Sequence, residues 1–436
     1  MVKWLMFYIG SKMDPRQFGG LKGNSITHYM IELINFILYN QDYDLPIGVL
    51  TCTIDFSKAF NRQNHNLLVT KLSDMGVPGW LLNIVMGFLT NRVMVVRYKG
   101  ETTEAKSLPG GGPQGTLLGL LLFLILINLC GFDHQMTEVG KQITEKKKKF
   151  CPQTLHTKYV DDMMIAESIN LKETLRPNPG RPLPDNFHAR LGQKLPADKS
   201  AVYEQIHEVQ QYAQENEMKI NFPKTKFMLF NPTKVYDFIP ELDMGSYQLE
   251  TVEEMKLLGL TVRNDLSWSS NTEEITKKGY GRLWMARRLK KLGASTEDLK
   301  DVYCKQVRSI LEFGVPVWNS ALTKEHVADI ERVQKSFLYI VLENEYLNYD
   351  NALAKVGLDS LEDRRLQLCT SFAKKAAKDP KHKSWFVEHK QSGVETRSEK
   401  SKYILQFTVI TWWEVSPHSL TKLLSFVRKL YFIGIS

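Results

Sequence analysis

Apolar and polar positions recur along this chain with periods that change from segment to segment, and the changes mark its elements. Ile26, Met30, Leu33, Ile34 and Ile37 stand at helical spacing, which predicts an amphipathic helix over Ile26 to Tyr39. Val49 to Ile54 is a short β-branched apolar run that ends at Asp55 and predicts a buried strand. Helices are expected over His65 to Met75 and Pro78 to Leu89, with Gly76-Val77-Pro78 as the break. Val93 to Tyr98, followed by Lys99-Gly100, predicts a hairpin, and so do the two apolar arms of Thr157 to Ala166 around Asp161-Asp162. Glu204 to Glu217 reads as a polar helix, and Lys226 to Phe230 and Lys256 to Val262 as strands. From Asn271 to Leu342 the pattern is helical almost throughout, with breaks near Gly293 and Pro316. The proline-rich stretch Arg176 to Pro196 reads as an irregular connection, and no pattern emerges beyond about Gln391.

With 436 residues, 43% of them hydrophobic, the chain has material for roughly two to four compact units. Its net charge of +9 suits a polyanionic partner, either nucleic acid or an acidic surface, and does not choose between them. Five scattered cysteines without a short spacing argue for a reducing compartment rather than a disulfide framework. Cys130, His134, Cys151 and His156 lack the regular intervals of a zinc site. The longest apolar run, Leu117 to Ile127, is interrupted by Gly119 and falls short of the ~20 residues of a membrane span. Lys146 to Lys149 reads as a basic loop.

The chemistry lies in carboxylates at strand ends. Asp55 follows a buried strand, and Asp161 and Asp162 occupy the tip of a hairpin. Adjacent strands run ~4.8 Å apart, so carboxylates at neighbouring ends can share metal ions, and oxygen-only ligands favour magnesium. Taken singly, each aspartate reads as a turn or cap residue, and a lone YVDD reads so first. Between the two carboxylate sites, Leu108 to Leu118 (LPGGGPQGTLL) is a glycine-rich loop before a helix. Such a loop offers backbone N–H groups and close approach to a ligand, with Gln114 as an added amide. Alone it reads first as a tight turn before a core helix.

The order of these motifs resembles the reverse transcriptases of non-LTR retrotransposons: DFSKAF, then PQG before an apolar helix, then YVDD in a hairpin. Further segments are similar to the same group. Gln17 to Gly23 (QFGGLKG) resembles part of the fingers, Asn216 to Phe230 the lysine-bearing palm segment, and Lys256 to Gly259 the primer grip. Leu311 to Ser320 and Val333 to Lys335 resemble the thumb, so the likeness spans roughly residues 16 to 385.

The resemblance implies an α+β right-hand polymerase fold, with an antiparallel palm sheet and its helices, partial fingers and a helical thumb. The implied bounds are 1–48 for the fingers, 49–265 for the palm with an insertion near 172–200, 266–345 for the thumb and 346–436 for a helical extension and tail. It implies RNA-directed DNA synthesis, with Asp55, Asp161 and Asp162 binding two Mg2+ ions, for which Mn2+ is a substitute. Phe56, Phe60, Gln114 and Gly115 would form the nucleotide pocket, Phe60 excluding a 2′-hydroxyl by its bulk. Lys224, or else Lys226, would be the palm lysine near the triphosphate, and Tyr159 would support the primer end.

Lys277 to Lys291 carries seven Lys or Arg and no acid. On a thumb helix, Lys277, Lys278, Arg282, Arg287, Arg288 and Lys291 would contact hybrid phosphates, unless the face is merely solvated. Tyr280 and Trp284 are expected in the core. The implied partners are an RNA template, a DNA primer and deoxynucleotides, with no membrane, and the setting is nucleus and cytoplasm as a ribonucleoprotein. Only about fifteen residues precede Gln17, so the sequence reads as a copy truncated at its start. An endonuclease or the missing fingers would then come from another chain. Two readings compete: a non-catalytic nucleic-acid-binding remnant, and a two-metal nuclease, which accounts for the aspartates but not for Phe60, PGGGPQG or the thumb.

Overall fold

A computed structural model describes residues 1–41, 47–108, 110–128, 153–170, 176–177, 201–231, 236–237, 249–388 and 403–405. Several sequence-based expectations fall outside these residues: Pro109, the Cys130–His134–Cys151 group, Lys146 to Lys149, most of the proline-rich stretch and nearly all of the tail. The chain forms two compact units, residues 1–33 with 43–253 and residues 34–42 with 254–436.

The first unit is built on a five-stranded sheet. Its strands are β1 (Ile47–Ile54), β6 (Thr154–Tyr159), β7 (Asp162–Asn170), β8 (Lys226–Phe230) and β9 (Glu250–Thr251), in the order β9-β8-β1-β7-β6. All pairings are antiparallel except the β8–β9 pair. Strand β1 lies in the middle, buried along nearly its whole length, as its continuous apolar pattern requires. Because side chains alternate, Leu50, Cys52 and Ile54 share one face with Met163 and Ile165 of β7 and Phe227 and Leu229 of β8.

That face joins a single apolar core with helices α1 (Val2–Ile9), α3 (His65–Asp74), α4 (Gly79–Leu89), α5 (Leu117–Leu126) and α6 (Ala201–Glu215). Helix α2 spans Ile26–Gln41. In α6, Val202, Ile206, Val209 and Ala213 make the buried stripe, the i, i+4, i+7, i+11 spacing of an amphipathic helix. Helix α5 is apolar on all sides and buried from Leu121 to Leu126. The expected hairpin after α4 is a two-part arm: β2 (Arg92–Met94) pairs with β5 (Lys106–Leu108), and β3 (Arg97–Tyr98) with β4 (Glu101–Thr102).

In the second unit, strands β10 (Glu254–Leu257) and β11 (Leu260–Arg263) form a hairpin. Its turn residues Leu258 and Gly259 both have positive φ, 48° and 88°, the backbone demanded by a two-residue hairpin turn. Helix α7 (Ser269–Lys291) follows, then α8 (Thr296–Val302), α9 (Lys324–Leu342), α10 (Tyr349–Val356) and α11 (Leu361–Ala376). The break after α7 falls at Gly293, whose φ is 83°. Pro316 lies in the first turn of a short helix, where its missing N–H costs nothing.

Along α7, Ile275, Gly279, Leu283 and Ala286 face the core. A Cβ on Gly279 would stand 3.1 Å from both Leu311 and Val333, so the small residue permits a close helix crossing. Tyr280 and Trp284 are 40% and 59% exposed, which corrects the expectation that they are core residues. The stripe next to them already fills the buried side.

Candidate active site

The sheet register places the carboxylates. Ile54 pairs with Met163, so one step further Asp55 stands level with Asp162, on the face opposite Leu50, Cys52 and Ile54. Asp161 belongs to the two-residue turn that joins Tyr159 to its partner Asp162. In that turn Val160 adopts a φ of 58°, a left-handed conformation that β-branched residues rarely take.

Asp55 is held by the segment that follows α6. Phe56 and Ile220 form an isolated antiparallel bridge, and the Ser57 amide donates to the Lys219 carbonyl at 2.7 Å. The Asn221 amide donates to the Asp55 carbonyl at 2.8 Å, and Asn221 Nδ2 donates to Asp55 Oδ2 at 2.9 Å. A short 3-10 turn, Phe222–Lys224, then carries Lys224 Nζ to 3.8 Å from Asp55 Oδ2. Lys226, the alternative palm lysine, instead forms an ion pair with Glu250.

The glycine-rich loop is tied to the same region. Gly111 N–H donates to the Gln63 carbonyl at 3.0 Å and Gly112 N–H to the Phe60 carbonyl at 2.8 Å. His65 Nε2 pairs with the Gly111 carbonyl at 2.8 Å, and Arg92 bonds the carbonyls of Gly110 and Gly111. A Cβ at Gly112 would meet Gln63 Oε1 at 2.5 Å. The glycines therefore serve close packing of the loop on residues 60–65. The expectation that their N–H groups are offered to a ligand is corrected at Gly111 and Gly112, because Gln63 and Phe60 already use them.

These constraints bring Asp55, Phe60, Gln114, Asp161 and Lys224 to one cleft of about 590 Å3. Phe60 is half-buried and stacks on Phe123, with ring centroids 4.5 Å apart. Phe56 borders the cleft, yet its side chain belongs to the apolar core. Gly115, with a φ of 78°, is exposed and outside the cleft lining. Asp162 is also outside the lining. Tyr159 is half-buried, edge-on to Tyr29 at 6.2 Å. Lys58, Arg62 and Lys219 line the cleft as well, and sequence reasoning missed them along with Asn221. The SKAFNR and MKIN runs around them were visible, but nothing local marks a lysine as cleft-facing.

Electrostatics tie the three aspartates together. Burial pushes the Asp162 carboxyl up to about 6, helped by the charges of Asp161 and Asp55 and opposed by Lys224. Asp161 is raised by the same burial and by Asp55. Among the described residues, no three His, Cys, Asp or Glu side chains stand close enough to hold an ion together. The donor set still suits a hard divalent cation. It is oxygen-only, and a bound cation would offset both the burial and the mutual repulsion that disfavour the charged forms of Asp161 and Asp162.

The basic face of α7 lies in the second unit. Lys277, Lys278, Arg282, Arg287, Arg288 and Lys291 are all exposed. Lys278 is paired with Glu274 at 2.6 Å, and Arg282 donates to Gln306 at 3.1 Å. Lys277, Arg287, Arg288 and Lys291 make no ion pair among the described residues.

Residues 2–262 match the family described as reverse transcriptase (RNA-dependent DNA polymerase). The chain belongs to that family. Its fold is therefore the α+β right-hand polymerase fold, and the family works with divalent metal ions. Two Drosophila melanogaster proteins place it with the LINE-like group of reverse transcriptases. It is 22% identical over 338 residues to the probable RNA-directed DNA polymerase from transposon BS, covering 77% of this chain and 33% of that protein. It is also 22% identical over 337 residues to the RNA-directed DNA polymerase from mobile element jockey, covering 75% and 32%. The chain thus spans about a third of the length of these relatives. Among solved structures it is similar to a telomerase from Candida tropicalis, solved in complex with a fragment of telomeric RNA. That match has 12% identity and a TM-score of 0.38, covering 87% of this chain and 55% of that one.

Proposed function

We propose that this chain is an RNA-directed DNA polymerase that lengthens a DNA primer with deoxynucleotides by two-metal phosphoryl transfer. One observation carries the reading: Asp55, Phe60, Gln114, Asp161 and Lys224, from four separate stretches of sequence, meet in one cleft. Residues 1–48 then serve as partial fingers, 49–265 as palm, 266–345 as thumb and 346–436 as extension and tail.

Asp55, Asp161 and Asp162 would hold two magnesium ions, with manganese as a substitute. Such ions, when bound, activate the primer 3′-hydroxyl and neutralise charge on the departing pyrophosphate. Lys58, Arg62, Lys219 and Lys224 give the cleft four cations for the triphosphate of an incoming nucleotide. Lys224 Nζ stands at the mouth, 71% exposed, where it can pass a proton to the pyrophosphate oxygen. Phe60, fixed by its stack on Phe123, walls the sugar side of the pocket and leaves no room for a 2′-hydroxyl. Gln114 and Gly115 orient the base, Phe56 borders the pocket, and Tyr159 backs the primer end.

The exposed cations of α7 bind phosphates of the RNA–DNA hybrid, a sequence-independent interaction. The protein acts in nucleus and cytoplasm as a ribonucleoprotein.

A second reading, a remnant that binds nucleic acid through α7 without catalysis, rests on the exposed cations of that helix. Primer extension on a primed RNA with magnesium separates the two. The wild-type chain should extend the primer, and the Asp161→Ala, Asp162→Ala chain should not. Folded wild-type protein that binds the hybrid without extending it would establish the remnant instead.

A further inference from the structure

A side chain that bonds the carboxylate turn lies far from it in sequence. Arg16 to Phe18 forms a stub of strand beside β6. Lys158 N–H donates to the Arg16 carbonyl at 3.0 Å, Phe18 N–H donates to the Lys158 carbonyl at 2.8 Å, and Gln17 bridges Lys158 in parallel. The stub ends beside Val160. Gln17 is 2% exposed, and its Oε1 accepts from Val160 N–H at 3.0 Å and from Gly19 N–H at 2.8 Å. Its Nε2 donates to the Val160 carbonyl at a longer 3.4 Å. One buried side chain therefore satisfies the amide of the strained residue and faces its carbonyl too.

Glycine is required next to it. A Cβ on Gly19 would lie 2.6 Å from Val160 N and 2.7 Å from Val160 Cγ2, so any larger residue would displace the turn. Behind this socket is a buried polar network. Lys158 Nζ bonds Asp14 Oδ2 at 2.7 Å and the carbonyls of Ile127 and Asn128 at 3.3 and 3.0 Å. Asn128, at the end of α5, in turn accepts from the Asp14 amide and donates to the Lys12 carbonyl, both at 2.8 Å. A left-handed β-branched residue is strained and persists only where its surroundings over-determine it. Here the over-determining parts are Gln17, Gly19 and the network behind them.

We infer that Gln17 is a positioning residue: its side-chain amide holds Val160 left-handed and thereby aims Asp161 and Asp162 toward Asp55. The catalytic part of this inference rests on the polymerase reading, whereas the hold on the turn does not. Gln17 touches neither the cleft nor its carboxylates, so it acts only through the backbone of Val160.

Three full-length variants test it. Gln17→Met keeps the length and removes every hydrogen bond; Gln17→Glu keeps the accepting oxygens; Val160→Gly accepts a positive φ without strain. Hydrogen exchange of the Val160 amide is read beside that of Ile165 in β7, together with Mn2+ affinity and extension kinetics. Gln17→Met should lose roughly tenfold protection at Val160 with Ile165 unchanged, the effect of about one buried hydrogen bond. Mn2+ affinity and kcat should fall with it, while KM for the deoxynucleotide holds. Gln17→Glu should recover most of the protection. In a Val160→Gly background the Gln17→Met loss should shrink, because the strain it guards against is gone.

Unchanged exchange at Val160, equal loss at Ile165, or a rise in KM at constant kcat would each overturn the inference. A wild-type chain with a protected Val160 amide that binds no Mn2+ would instead overturn the polymerase reading and leave the hold on the turn standing.

Discussion

Asn221 grips Asp55 twice, its backbone amide on the Asp55 carbonyl at 2.8 Å and its side-chain Nδ2 on Asp55 Oδ2 at 2.9 Å. The first bond continues the zipper between residues 55–57 and 219–221, and the second fixes the carboxylate rotamer. Removing only the second is therefore informative. Asn221→Ala should slow single-turnover extension about tenfold, the scale of one hydrogen bond to a charged group. Asn221→Asp should slow it further, because a second carboxylate replaces a donor. Extension by Asn221→Ala at the wild-type rate would mean that Asp55 needs no such support.

Phe60 faces two ways, toward the cleft and onto Phe123. Phe60→Ala should admit ribonucleotides into the product and raise the ribose-to-deoxyribose incorporation ratio. It should also lower stability by about 2 kcal/mol, less than a fully buried ring because Phe60 is half-buried. Competition between labelled nucleotides and thermal unfolding measure the two effects. Unchanged sugar discrimination with lowered stability would make Phe60 a core residue alone.

What the sequence makes legible here is local. Lys226 to Phe230 is a strand over the predicted residues, and the hairpin around Asp161-Asp162 is visible because period-2 patterning and turn position need only neighbours. Asn221's bond to Asp55 and Gln17's to Val160 join residues far apart in the chain, and no periodicity reports such pairs. The glycine run is legible as a loop, but not the use of its N–H groups by Gln63 and Phe60. Tyr280 and Trp284 mislead because large apolar residues are only statistically buried. The better signal is Gly279 and Ala286 at the spacing of a close helix crossing.

Those two rings change the expectation for α7. Tyr280 and Trp284 lie one turn apart among exposed cations, with Gly281 between them in open space. Replacing Lys277, Arg287, Arg288 and Lys291 by Gln should weaken hybrid binding and flatten its salt dependence, the log–log slope falling by nearly one for every phosphate no longer neutralised. Trp284→Ala should weaken binding of single-stranded RNA by about 1–3 kcal/mol at every salt concentration and leave the slope alone, as removal of a stacking surface does. Lys278→Gln should matter less for the slope, since Glu274 already neutralises it. Titrations of the hybrid and of single-stranded RNA at several salt concentrations test all three. A slope untouched by the quadruple change would mean a merely solvated face.

The network behind the carboxylate turn has a pH signature of its own. Asp14 is buried, which opposes its ionisation, but hydrogen bonds and charge from Arg16 and Lys158 win and bring its pKa down to about 2. Its folded value thus lies below its unfolded one, near 3.8. The contribution to stability, about 2 kcal/mol, is therefore complete above the unfolded value and disappears as pH falls through the folded one. Asp14→Asn should cost about 3 kcal/mol near neutral pH, because it also leaves the Lys158 ammonium buried without a counter-charge. Between pH 5 and pH 2 the gap between wild type and variant should narrow, since the wild-type carboxyl is itself becoming neutral. Denaturant unfolding across that range measures the gap. One that stays constant down to pH 2 would show that the Asp14–Lys158 pair adds nothing to the folded state beyond the packing of its atoms.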